Sequence, residues 1–246
     1  MFEPASNYDP QVGDAEPRNR RAMKALIDLV VFGLFFVLML ALVLMTPFNK
    51  LPVIYTIPLQ GIFNLTLIAF MAGWISLVRR TSVAEYIRWF RNPTFSARFL
   101  VAVGTLAALC VLVISAFLPS TGQTPLDTLL TTKTAILVFV VFGVTAAPLS
   151  EEIIFRGFLF QALSELGGPG LAIPATAIFF ALLHAGQLAG NWASVALIFL
   201  VGCILSIMRY RSNSIIPSLI VHMSYNSTLF LLFILNTLLQ KVSRGS

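Results

Sequence analysis

Two adjacent carboxylates and an arginine, Glu151, Glu152 and Arg156, stand in a stretch from about Thr134 to Leu166 that is otherwise apolar. The chain's two histidines, His184 and His222, lie in later apolar stretches. A charged group in hydrocarbon costs several kcal/mol, so it turns towards a protein interior and has a task there. A carboxylate and a neutral histidine can together hold and deprotonate a water. A second histidine and an amide, here His222 and Asn226, are donors suited to the oxyanion of a tetrahedral intermediate. Those parts suffice to hydrolyse a peptide bond without a serine or cysteine nucleophile, and that chemistry requires no cofactor. A divalent metal held by two histidines and a glutamate is the alternative chemistry. The His-Glu-x-x-His signature is absent.

Spacing divides the roles. Glu152 and Arg156 are four residues apart and can pair along one helix face, whereas Glu151 is rotated by about 100° and has no such partner. His222 and Asn226 share a face, as do Phe180 and His184, each pair again four apart. Pro148, three residues before Glu151, disturbs the helix and gives water a way to the carboxylates. Ser150, Ser224 and Tyr225 read as packing or hydrogen-bonding groups rather than nucleophiles.

These groups must be carried by membrane helices. The 246 residues are 58% hydrophobic and 11% charged, with a mean hydropathy of +0.89. A soluble domain needs far more charge to cover its surface. Continuous apolar runs of about 20 residues indicate an all-α, polytopic transmembrane helical bundle, and their lack of alternation disfavours a β-barrel. The net charge of +6 sits at span ends, without the basic stripe on a soluble face that nucleic acid needs. Cys110 and Cys203 read as small core residues, with neither disulfide framework nor metal spacing.

Seven spans are expected: about Ala25–Met45, Ile57–Val78, Arg98–Leu118, Thr134–Leu166, Leu171–Leu188, Trp192–Met208 and Ile215–Leu239. Residues 1–24 form a polar cytoplasmic segment, 25–133 accessory membrane helices with a polar linker at their end, and 134–240 the core that carries the chemistry. Asp28, one turn after Lys24, reads as part of a snorkelling pair. Val83, Tyr86, Ile87 and Phe90 suggest an amphipathic helix at the interface within residues 81–97. With the N-terminus in the cytoplasm, eleven basic residues fall inside and four outside, leaving out Arg156. The break Gly167-Gly168-Pro169-Gly170 makes spans four and five a hairpin. Glu151 lies 17 residues before Gly168 and His184 16 after it, which sets both about 25 Å from the turn. His222 is 10 residues from the second hairpin turn near Ser212. The levels agree if the first hairpin projects by about 10 Å.

The ordered set Glu151-Glu152-x-x-x-Arg156, Phe180-x-x-x-His184 and His222-x-x-x-Asn226 resembles the CPBP family, that of CAAX prenyl proteases type II and bacteriocin-processing or Abi proteins. The resemblance covers about residues 134–230. It implies a glutamate-type intramembrane endopeptidase acting on a membrane-associated peptide or protein, in most members in a prokaryotic cytoplasmic membrane. It implies Glu151 as general base, His184 as its helper in activating water, and His222 and Asn226 as the oxyanion hole. Glu152, Arg156 and Phe180 would support the site. The archetypal CAAX enzymes have eight spans rather than seven. Two blander readings stand beside this one. The polar cluster could serve helix association in a non-catalytic scaffold or immunity protein of the same fold. A proton-coupled transporter could use the same carboxylates, although matching broken helices are absent.

Overall fold

The computed structural model describes residues 17–45, 55–90, 94–118, 133–188 and 190–245. The polar stretch before Pro17, the Thr46-Pro47 stop and the Gly122–Pro125–Asp127 linker lie outside the described residues. Among the described residues all regular structure is helical. Helix α1 is Arg18–Met45; α2 is Thr56–Trp74, extended by a π-helical Ile75–Arg79; α3 is Val83–Tyr86; α4 is Ala97–Ser115. Helix α5, residues 133–167, alternates between α-helical Lys133–Val141, π-helical Phe142–Ala146, α-helical Ala147–Glu151, π-helical Glu152–Leu159 and α-helical Phe160–Gly167. Then come α6 (Pro169–His184), α7 (Trp192–Ser212) and α8 (Ile215–Gly245).

Among the described residues six helices are long and apolar enough to cross a membrane, and the protein is a multi-pass membrane protein. The seventh apolar segment, α6, has 16 residues and stops at His184, short of the expected Leu188. At ~1.5 Å per residue it spans only about 24 Å. The chain then turns at once, with Leu188 N–H donating to the His184 carbonyl at 3.2 Å and Gly190 N–H to that of Ala185 at 3.0 Å.

Two hairpins frame the core. Gly168 takes φ +76°, open to glycine at little cost, and its N–H caps Ser164 O at 2.8 Å. Pro169 then starts α6, where its missing N–H costs nothing. The second turn ends α7 on Asn213 at φ +50°. It is tied to the segment after α3, for Ile215 N–H donates to Arg88 O at 3.2 Å and Ser214 Oγ donates to Phe90 O. That tie corrects the expected amphipathic helix over residues 81–97. Helix α3 lasts only four residues, Arg88 turns to φ +60°, and Tyr86 and Ile87 are buried in the protein rather than laid on an interface. A Cβ on Gly157 would stand 2.9 Å from Ile87, so this segment plugs directly against α5.

Asp28 also differs from expectation. It shares a buried stripe of α1 with Ala25 and Phe32, and is 1% exposed. Its carboxylate accepts from Trp74 Nε1 at 2.8 Å, Arg79 Nε at 2.8 Å and Tyr86 OH at 2.9 Å. Burial, with the Asp28 charge beside it, pushes the Tyr86 phenol far above its usual range, so it stays a donor. Cys110 is a further correction. It is exposed, because the buried face of α4 runs through Leu100, Gly104 and Ala108, and residue 110 lies about 200° round from 108.

Helix α4 meets α8 at Gly104, where a Cβ would collide with the Val221 carbonyl and stand 2.8 Å from Ser224 Cβ. Alanine is a better helix former than glycine by about 1 kcal/mol. Overpacking against a backbone atom costs about 1–3 kcal/mol. Gly104→Ala should therefore lower the melting temperature in detergent, and Gly104→Val should lower it further. A raised melting temperature in both variants would show that the helices do not approach this closely.

Candidate active site

The site is built where α5 turns π-helical. Pro148 lacks an N–H, and its ring crowds the carbonyl four residues back. It sits just after the Phe142–Ala146 π stretch, which loosens the ladder there. A π-helix bonds i to i+5 and often marks a functional site. The second stretch, Glu152–Leu159, carries both Glu152 and Arg156.

Glu152 and Arg156 are both fully buried and pair at 3.0 Å, the i,i+4 contact expected from the sequence. Two charges in hydrocarbon are tolerable only with full pairing and further hydrogen bonds. Arg156 Nη2 donates to Gly202 O at 3.2 Å, and the guanidinium lies 4.4 Å from the Phe180 ring centroid. Gly202 makes this reach feasible, since a Cβ there would press at 3.1 Å on Ala177 and hold α7 off α6. Glu152 Oε1 also accepts from His222 Nδ1 at 2.9 Å. With Nδ1 so engaged, His222 turns Nε2 towards Glu151 Oε2 at 3.6 Å, an ion-pair separation rather than a hydrogen bond.

The two acids therefore differ in kind. The Glu152 side chain is 0% exposed, with its Oε1 shared by Arg156 and His222, while that of Glu151 is 15% exposed. The neighbour of Glu151 is a histidine from α8 rather than a cation on its own helix. His184 is half-buried at the end of α6, with Nδ1 2.7 Å from Phe180 O. A carbonyl only accepts, so Nδ1 carries a proton, and in the neutral tautomer this leaves Nε2 bare. No hydrogen bond joins Glu151 directly to His184. The two histidines are instead gathered by Phe180, whose ring centroid lies 4.5 Å from that of His184 and 5.7 Å from that of His222. Asn226 spends one N–H on Gly143 O at 2.7 Å and keeps the other. Gly143 admits this contact because Phe230 of α8 lies where its Cβ would be, at 2.8 Å. Among the described residues no three His, Cys, Asp or Glu groups are set around a metal-sized space.

The structure thus draws Glu151, Glu152, Arg156, Phe180 and His222 into one contact network, with His184 joined to it through Phe180. Residues 133–228 match the family model described as type II CAAX prenyl endopeptidase, Rce1-like. That stretch is similar to the Rce1-like family. No curated protein and no solved structure matches the chain. The Rce1-like domain holds every residue of the motif set, from Glu151 to Asn226.

Two residues at the site escaped the sequence reading. Asn64 of α2, 9% exposed, donates to Ser150 Oγ at 2.9 Å beside Glu151, although spans one to three held nothing diagnostic. The one signal was an amide in an apolar run, one turn after Gln60. Arg209 looked like a flank charge, and it is buried against α5. From composition alone it is indistinguishable from Arg211, which is exposed.

Removing one partner of a buried ion pair costs about 3–5 kcal/mol, because the other charge is left uncompensated. Glu152→Gln should therefore strongly destabilise the protein in chemical denaturation. Glu151→Gln, which leaves Arg156 paired, should stay within about 1 kcal/mol of wild type. Equal losses would show that the two acids share one structural role.

Proposed function

We propose that the protein is an intramembrane endopeptidase in which Glu151 and His184 activate a water that attacks a peptide carbonyl of a membrane-associated substrate. The observation that carries this reading is the division of labour between adjacent acids inside an Rce1-like domain. Glu152 is locked between Arg156 and His222, and Glu151 remains the accessible carboxylate beside His222, with His184 joined to the cluster through Phe180.

In this mechanism the Glu151 carboxylate takes a proton from water, which is oriented by the bare Nε2 of His184. The hydroxide adds to the carbonyl carbon, and the electron pair moves to oxygen. Asn226 and His222 form the oxyanion hole, Asn226 donating its remaining N–H while Glu152 fixes the His222 ring through Nδ1. Collapse of the intermediate breaks the C–N bond, and the proton on Glu151 passes to the departing amine. Catalytic contacts are commonly loose in a free enzyme and tighten when substrate binds. The N-terminus belongs on the cytoplasmic side of a prokaryotic membrane in this reading. The exposed Arg80 and Arg211 keep the basic excess there even with Arg79 and Arg209 turned inward.

Glu151→Ala and His184→Ala should each abolish cleavage while the protein remains folded and inserted. The measurement is a comparison of membrane peptides between wild-type and variant cells, followed by assay of the purified proteins on the accumulated species. Full cleavage by either purified variant sinks the proposal. Survival of a partner-dependent function in Glu151→Gln, with no cleavage by wild type, would favour a scaffold.

A further inference from the structure

Arg209 is a second fully enclosed cation in the Rce1-like domain, and its hydrogen bonds go to neutral acceptors. It is 2% exposed, whereas Tyr210 and Arg211 beside it are exposed. Nε donates to the backbone carbonyl of Arg156 at 3.0 Å, Nη2 to Gln161 Oε1 at 3.1 Å and Nη1 to Asn213 Oδ1 at 3.5 Å. The Phe160 ring centroid lies 5.3 Å from its guanidinium carbon. A cation enclosed by neutral groups is a costly way to join two helices, and an apolar side chain would pack them at less expense. The cost points to a geometric task.

The group it grips lies in the π-helical stretch, where the backbone ladder is i to i+5. It is also the backbone of Arg156, whose side chain holds Glu152. One residue is therefore fixed from α7 through its carbonyl and from within α5 through its guanidinium. The grip continues outward. Gln161 Nε2 donates to Glu165 Oε1 at 3.0 Å, and Glu165 Oε2 accepts from Arg79 Nη2 at 2.7 Å. Arg79 pairs with Asp28 at 2.7 Å, and Asp28 also binds Trp74 and Tyr86. A continuous line of polar contacts thus ties the carbonyl of residue 156 to α1, α2 and α3.

Building on the peptidase reading, we propose that Arg209 is a positioning residue. It sets the rotation of the π-helical stretch, and with it the Glu152–His222 contact and the aim of Glu151, while touching neither water nor substrate. Arg209→Lys keeps the charge and loses the planar fork that makes the three bonds at once. The chain's only other histidine is His184, so in a His184→Gln background the labelled imidazole spectrum belongs to His222 alone.

The experiment uses the full chain in detergent micelles. In the His184→Gln background, Arg209→Lys should displace the His222 Nδ1–H resonance. With His184 intact, it should lower kcat by about ten- to a hundredfold while KM stays within about threefold, as expected when reacting groups are slightly misplaced. Restored kcat in a revertant, and none in Arg209→Met, would separate the fork from mere space filling. A folded Arg209→Lys with wild-type resonance and kcat overturns the proposal. Should that variant not fold, Gln161→Leu decides in its place, because it cuts the line one bond further out and should move both readouts the same way. The resonance arm does not depend on catalysis. A displaced His222 resonance in a protein whose cleavage survives Glu151→Ala would uphold the positioning role and reject the peptidase reading.

Discussion

The structure depends on one buried ion pair. Glu152 and Arg156 are wholly withdrawn from solvent in a domain set in apolar surroundings, and each charge is tolerable only while the other is in place. Their remaining valences recruit the neighbours. The carboxylate takes a bond from His222 on α8, and the guanidinium takes the Gly202 carbonyl on α7 and the face of Phe180 on α6. Three helices are thereby located relative to α5 by the need to satisfy a single pair. Phe180 converts this into the placement of both histidines, because its ring contacts each of them.

The same constraint explains why the acids are adjacent rather than spaced by a turn. A structural carboxylate must face the interior with a partner, as Glu152 Oε1 does with Arg156 and His222. A reacting carboxylate must keep an oxygen free and some access to water. Consecutive residues on a helix point about 100° apart, so one position serves the interior and the next its margin. The exposures of 0% and 15% follow that division. The π-helical stretch then matters as a tuning of rotation. Widening the ladder over Glu152–Leu159 brings residues 152 and 156 into register with α7 and α8 while Pro148 is accommodated upstream.

Much of this was legible in the sequence, and what was not has a physical reason. The Glu152–Arg156 pair followed from i,i+4 spacing and the cost of charge in hydrocarbon. The meeting of α5 with α8 fitted the rise along two hairpins once the first was taken to project by about 10 Å. What could not be read is which way a polar residue at a span end turns. Asp28 and Arg209 sit where snorkelling side chains belong, and both point inward to bury their charge. That choice is made by partners far along the chain, such as Arg79 for Asp28 and the Arg156 carbonyl for Arg209. Residues 81–90 mislead for a related reason. Their apolar spacing suits an interface, and the carbonyls of Arg88 and Phe90 are instead claimed by the α7–α8 turn.

The boundary of the recognisable domain is therefore not the boundary of the physical unit. The motif residues fall within 133–228, and several of the groups that brace them do not. Asn64 holds Ser150 from α2, Ile87 fills the space over Gly157, and Phe32 and Tyr86 pack on Phe158 at 5.1 and 5.8 Å. The Asp28 cluster reaches the same helix through Arg79 and Glu165. A π-helical stretch has a weakened ladder of its own, so its rotation must be fixed from outside it. In this chain the outside supports are α1, α2 and α3 on one side and Arg209 on the other. The helices that carry no motif are what give the motif its geometry.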